Sequence, residues 1–197
     1  MLNASTIESS APVGEAKSLA GEELKDVLRP RWYAAYTRAN HERRVADQLA
    51  ERGVDSFLPQ YESVRKWKDR KIRLQLPLFP GYVFVHLALQ NRLRALQVPG
   101  VACLVSSAGR PLAVPEEEFL RIRGFLKQGL HAEPHPYLKP GRRVRVRSGP
   151  LEGMEGIVVR RKNGNWLVIS MELIQRAVAV DLHAADLEVL SHGSVRL

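Results

Sequence analysis

His131 and His135 stand four residues apart, the spacing at which two imidazoles on one helix face can share a zinc ion. Pro134 and Pro136 flank the second of them and forbid that helix, so the pair reads as part of a linker. The other histidines, His41, His86, His183 and His192, are scattered, and no Ser, His and acid set stands out. There is no glycine-rich phosphate loop ending in Lys-Ser/Thr, no cysteine pair and no His-Glu-x-x-His. The expectation is a protein that is not an enzyme, with no catalytic residues, no metal and no cofactor.

The organised chemistry is cationic. From Ser63 to Gln75 six Lys or Arg stand against the lone Asp69, a net +5 out of the formal +9 of the chain. Trp67 lies inside this run, in Arg65-Lys66-Trp67-Lys68-Asp69-Arg70-Lys71. That mixture can hold phosphates by charge and stack a base; it also suits a solvated hairpin whose tryptophan packs on its own domain. A second set, Arg38, His41, Arg43 and Arg44, falls at the start of a helix, where free backbone N–H groups favour anions. His41 and Arg44 share a face away from the Val45 and Leu49 stripe, as an ordinary solvated face would also arrange them. Arg142, Arg143, Arg145 and Arg147 form a third set; exposure for solubility explains it as well as contact with RNA does.

The totals fit this picture. In 197 residues there is room for one domain or two small ones, and a pI near 10.0 points to an acidic partner, nucleic acid before anionic membrane. No apolar run approaches the length of a spanning helix and no secretory leader pattern opens the chain, so the expectation is a soluble, cytoplasmic protein with no membrane partner. The single cysteine, Cys103, lies among Val101, Leu104 and Val105 and is expected to be a small buried side chain.

The elements that must position these residues follow from periodicity. Residues 1–30 have too few large apolar groups to bury and read as a flexible tail, with a loose helix over Glu22 to Leu28. Order begins with the aromatic strand Arg31 to Thr37. A helix follows with Asn40 as its cap, Val45, Ala46 and Leu49 on its buried face and Gly53 as its stop. Val54 to Leu58 is a strand. The run Pro77 to Leu87 joins a Pro80-Gly81 turn to the strongest strand signal in the chain, with Tyr82 and Phe84 on one face and Val83 and Val85 on the other. One of these faces fills the core; the other is covered by a second layer or left as an exposed aromatic docking patch.

A helix is expected over Gln90 to Gln97, a strand over Val101 to Val105, and a helix opened by Pro115 that buries Phe119, Ile122 and Leu126. Residues 31–130 thus form a sheet, antiparallel or mixed, with helices on one side. Residues 131–140, with three prolines, read as a linker. Residues 141–190 change to five short strands with an Asn163-Gly164 hairpin turn, a small closed barrel, and residues 191–197 are a tail. The fold class is α+β: an α/β sandwich followed by a small β-barrel.

Several of these segments together resemble one family. Trp32-Tyr33-Ala34-Ala35-Tyr36-Thr37, the basic helix, Phe57-Leu58-Pro59, Pro77 to Val85 and Pro99-Gly100-Val101 resemble, in order, the N-terminal (NGN) domain of NusG-type transcription elongation factors. Gly141 to Val146 through Gly149-Pro150-Leu151-Glu152-Gly153-Met154-Glu155-Gly156-Ile157-Val158 resembles their SH3-like C-terminal KOW motif. Trp67 to Lys71 and Leu173 to Val180 are most similar to the specialised, operon-directed antiterminators of the UpxY and RfaH kind.

The resemblance implies a factor that suppresses pausing or termination by bracing RNA polymerase. The clamp helices of the β′ subunit would be gripped through Tyr33, Phe79, Pro80, Tyr82 and Phe84, and the β subunit met near Asn91, Arg92 and Leu93. The threonine-rich form of that loop found in RfaH is absent. Non-template DNA would be held by Arg38, Asn40, His41, Arg43 and Arg44, with Lys66, Trp67 and Lys68. Leu173 and Ile174 would recruit the termination factor Rho or a small-subunit ribosomal protein, unless they are needed to pack the barrel. The alternative is an RNA-binding, ribosome-associated KOW protein in which the barrel carries the affinity. Refolding of the barrel into a helical hairpin, as in RfaH, is not expected, because Asn163-Gly164 and the β-branched run Val158, Val159, Val168, Ile169, Val178 and Val180 disfavour helix.

Overall fold

The computed structural model describes residues 27–67, 70–137, 144–148, 151–161, 164–181 and 187–189. The expected N-terminal tail up to residue 26, Lys68 and Asp69, Gly141 to Arg143, Gly149-Pro150, Asn163 and the tail 191–197 lie outside the described residues, as does the side chain of Trp67.

The first module is a four-stranded antiparallel sheet of β1 (Arg31–Thr37), β2 (Asp55–Phe57), β5 (Tyr82–Leu87) and β6 (Val101–Leu104), in the order β2-β5-β1-β6. The strands β3 (Gln60–Trp67) and β4 (Arg70–Pro77) pair only with each other, as a ribbon, and β7 (Ser106–Ser107) and β8 (Arg110–Pro111) form a small hairpin. Among the described residues its α-helices are α1 (Glu42–Glu51), the short α2 (Arg92–Leu96) and α3 (Glu116–Lys127).

Strict alternation along β1 and β5 sorts the core into two layers. Tyr33, Ala35, Val83 and Val85 pack with Val45 and Leu49 of α1 and Ala95 of α2. Ala34 and Phe84 point the other way, into a cluster with Leu78, Phe79 and Phe119, Ile122 and Phe125 of α3. The helices therefore cover both faces of the sheet, not one. Apolar groups on both sides of β5 leave either face too costly to expose, and α3 supplies the second lid. On that helix Phe125 is the third buried residue and Leu126 only half-buried, a shift of about 100° around the axis from the expected stripe.

The second module is a six-stranded antiparallel sheet, in the order β14-β10-β11-β12-β13-β9. Its strands are β9 (Ala132–His135), β10 (Val144–Val146), β11 (Glu155–Arg161), β12 (Gly164–Met171), β13 (Arg176–Asp181) and β14 (Leu187–Val189). The expected linker is thus partly a strand: Ala132 to His135 pair with Val180 to Ala177 of β13. Proline is tolerated at a sheet edge, where no ladder donor is needed on the outer side, and Pro134 sits opposite Val178 there. The His131 ring meets the Trp166 ring edge-on at 5.4 Å, so this histidine is also structural.

The two modules share one apolar cluster. It runs from Ala34, Phe79 and Phe84 through Phe119, Ile122 and Phe125 to Met154, Leu167, Met171, Ile174 and Val178 of the second sheet. Cys103 is exposed, contrary to expectation, because it pairs with Tyr36 and shares its open face, whereas Leu104 on the same strand pairs with Ala35 and is buried on the other.

Candidate functional site

Two Pro-Gly turns hold the loop between β1 and α1. At the first, the Gly81 N–H donates to Glu42 Oε1 at 2.7 Å and the Thr37 N–H donates to the Gly81 carbonyl at 2.8 Å. At the second, the Arg38 N–H donates to the Gly100 carbonyl at 2.8 Å. Both glycines have positive φ, +87° and +104°, which L side chains rarely adopt. A Cβ on Gly81 would lie 3.3 Å from the Tyr36 ring, and one on Gly100 3.0 Å from Val45 and 3.1 Å from His41. Glu42 is buried, and its carboxylate in the first turn of α1 is favoured by the helix dipole while it makes a charge-assisted bond to the turn.

Asn40 does not cap α1. It takes a left-handed conformation, φ +62°, that turns the chain, and the N-cap is His41, which makes no side-chain cap bond. Arg38, Asn40, Arg43 and Arg44 are exposed on this frame and His41 is half-buried. None of the three arginines forms an ion pair with a described residue, so their charge is available to a partner.

Beside them lies a small aromatic edge. Tyr36 pairs directly with Tyr82 in the ladder, their rings 5.4 Å apart, with the exposed Pro80 in the adjoining turn. Tyr36 is 44% exposed and Tyr82 partly so. Three of the rings expected on this surface are instead interior. Tyr33, 2% exposed, faces α1 on the opposite side of the sheet. Phe79 and Phe84, both at 1% or less, are enclosed with Phe57 and Phe119. Sequence reasoning passed over Tyr36 and Glu42. The alternation that places Tyr36 on the Tyr82 face was a usable signal, as was a lone acid set between His41 and Arg43.

The remaining expected residues fall elsewhere. Asn91 and Arg92 are exposed, but they follow Leu87, which pairs with Arg31 at the far end of the β1–β5 ladder from Tyr36 and Tyr82. Lys66 is exposed near the tip of the β3–β4 ribbon, with Trp67 opposite Arg70. Leu173 and Ile174 form a single 3-10 turn with Glu172; Ile174 is buried and Leu173 packs on the shared cluster, so neither presents an open apolar loop. The competing need, filling a small core, has taken them.

The second sheet meets the first module beside the aromatic edge. The Arg176 guanidinium lies over the Tyr82 ring, 5.9 Å from its centroid. A cavity of about 200 Å³ separates α3 from β11 and β12, lined by Ile122, Phe125, Tyr137, Met154 and Ile169 among others. Glu118 borders it. One of its carboxylate oxygens is buried without a hydrogen-bond partner, and burial, then the charge of Glu172, hold its pKa above the ordinary 4.5 against the opposing pull of Arg121. Among the described residues no group of three or more His, Cys, Asp or Glu could hold a metal ion, and no helix is long and apolar enough to cross a membrane.

Comparison with known proteins agrees with this architecture. A family model described as "Transcription termination factor nusG" matches residues 30–123. The transcription termination/antitermination protein NusG of Deinococcus radiodurans is 30% identical over 156 residues, covering 64% of this chain and 81% of that protein. Its namesake in Pasteurella multocida is 28% identical over 173 residues, covering 80% and 94%. A solved structure described as "Domain interaction in Thermotoga maritima NusG" superposes with a TM-score of 0.54 at 22% identity, over 84% of this chain and 99% of that one, and so shares the fold. With a 30%-identical relative covered over four-fifths of its length, the chain belongs to the NusG family of transcription termination/antitermination proteins.

Proposed function

We propose that this protein is a transcription elongation and antitermination factor that docks on the β′ clamp helices of RNA polymerase and holds the non-template DNA strand, suppressing pausing or termination. One observation carries the reading: the Glu42–Gly81 bond fixes an exposed aromatic edge, Tyr36, Pro80 and Tyr82, next to an unpaired cationic helix start, Arg38, Arg43 and Arg44. An apolar edge can seat against a protein helix pair while the adjacent cations meet phosphates. Tyr33, Phe79 and Phe84 act here from inside, by setting the shape of that edge. Asn91 and Arg92, exposed at the other end of the ladder, would then meet the β subunit across the channel.

The C-terminal sheet is the module that would recruit Rho or a small-subunit ribosomal protein. Leu173 and Ile174 are packed into the shared apolar cluster, so such a partner must displace that packing to reach them. The relative from Thermotoga maritima is itself described by a domain interaction, which accords with a contact of this kind.

The test is a purified elongation complex on a synthetic nucleic-acid scaffold. Tyr36→Ala with Tyr82→Ala is expected to abolish association and the relief of pausing while the circular dichroism spectrum stays that of the parent. Undiminished association would place the docking surface elsewhere. If binding instead follows the second sheet and is to ribosomes, the alternative reading of a ribosome-associated RNA-binding protein takes over.

A further inference from the structure

The β3–β4 ribbon carries more charge than its structure needs. Arg65, Lys66, Arg70, Lys71 and Arg73 are all exposed, and among the described residues the sole ion pair there is Arg73 with Glu62, at 3.6 Å. Lys66 stands directly opposite Lys71 in the ladder, an arrangement that like charges disfavour. No element of the first sheet pairs with the ribbon, so its residues are not held there by packing against a further strand.

How the cations are shared between the two faces identifies the partner. Directly opposed residues lie on one face, so Lys66, Lys71 and Arg73 occupy one side with Val64, and Arg65 and Arg70 the other with Ile72 and Leu74. A single nucleic-acid strand laid on the ribbon would touch one side only. An element between two phosphate backbones meets charge on both. The major groove of B-form DNA, about 12 Å wide, admits a two-stranded β-ribbon, whereas that of A-form RNA is too deep and narrow. Val64, 57% exposed, and Leu74, 37% exposed, are apolar groups of the kind that contact thymine methyls in that groove.

We propose that the β3–β4 ribbon is a duplex-DNA arm that enters the major groove, each face meeting one of the two backbones. This rests on the nucleic-acid-facing part of the reading above and not on polymerase docking. It reassigns the ribbon from the single strand to the duplex and leaves the single strand to the start of α1.

Fluorescence anisotropy of the full chain with a labelled 20-base-pair DNA duplex, with one of its strands alone and with the matching RNA duplex tests it between 50 and 200 mM salt. Lys66→Gln/Lys71→Gln/Arg73→Gln and Arg65→Gln/Arg70→Gln should each weaken duplex DNA binding about tenfold or more at the lower salt. They should reduce the log–log salt slope by about 2 to 3 and about 2 respectively, near 0.9 for each phosphate that is no longer neutralised. Single-strand binding should change by less than about twofold in both, while Arg38→Gln/Arg43→Gln/Arg44→Gln gives the converse. Gln75→Lys, which adds a cation at an exposed position on the Lys66 face, should tighten duplex binding and guards against losses that come only from damage. Weakening from one face alone, equal weakening on duplex and single strand, tighter binding to the RNA duplex, or no effect of Gln75→Lys would each overturn the assignment. Polymerase association, read separately with the Tyr36 and Tyr82 variants, tells a failure here from a failure of the docking reading.

Discussion

The two faces of the central sheet are built from similar residues and closed in different ways. The face bearing Tyr33, Val83 and Val85 is sealed by α1 and α2, elements of the same module. The face bearing Ala34, Tyr82 and Phe84 is sealed by α3 in its middle and adjoined by the second module, with Tyr36 and Tyr82 left at its rim. Apolar surface on a sheet is therefore not one quantity. On the first face it holds a domain together; on the second it also joins two modules and leaves a margin that a partner can use.

Three substitutions, with a fourth on the opposite face as the reference, would break or sharpen that contrast. Phe84→Ala has the largest expected effect. It removes a fully buried ring beside Phe57, Phe79 and Phe119 and should cost about 3–5 kcal/mol in urea unfolding, instead of leaving the fold intact as a surface ring would. It should also speed proteolysis between the modules, whereas Leu49→Ala on the other face lowers stability without that second effect. Retention of parental stability by Phe84→Ala would erase the distinction between the faces.

Arg176→Ala comes next. Without a guanidinium over the Tyr82 ring, the joint between modules should weaken by about 0.5–1 kcal/mol, read as faster amide exchange along α3, and affinity for polymerase should rise if Tyr82 is the docking ring. Glu118→Gln is the mildest. The native state holds the Glu118 proton more tightly than the unfolded chain does. The stability this confers is full below about pH 4.5 and is lost as pH rises through the raised value. The glutamine variant should lack that fall and be slightly more stable than the parent at pH 7, as thermal unfolding at several pH values would show. A steeper fall in the variant would contradict the assignment.

Much of this architecture was legible in the sequence, and the exceptions at the site share a cause. Period-3.6 and period-2 patterns placed β1, α1, β5 and α3, and two Pro-Gly pairs marked the turns that grip the β1–α1 loop. Alternation says which face a side chain takes but not what lies over it. Tyr82 and Phe84 share a face, yet one is rim and the other core, because α3 crosses only part of the ladder. The same gap accounts for Leu173 and Ile174, which a 3-10 turn folds into the shared cluster. Two other errors were local. Prolines at Pro134 and Pro136 suggested a linker where an edge strand tolerates one of them, and the apolar neighbours of Cys103 concealed that its own side chain alternates onto the open face.

The strand β9 has a mechanical consequence. Since it pairs with β13, slack between the modules is confined to Gln128 to His131, a leash of about 13–14 Å at full stretch, with Gly129 at φ +69° as its pivot. When the joint opens, the second sheet swings without drifting off, so the faces that parted stay at roughly millimolar effective concentration. Any competitor for that surface must outbid a neighbour that never leaves.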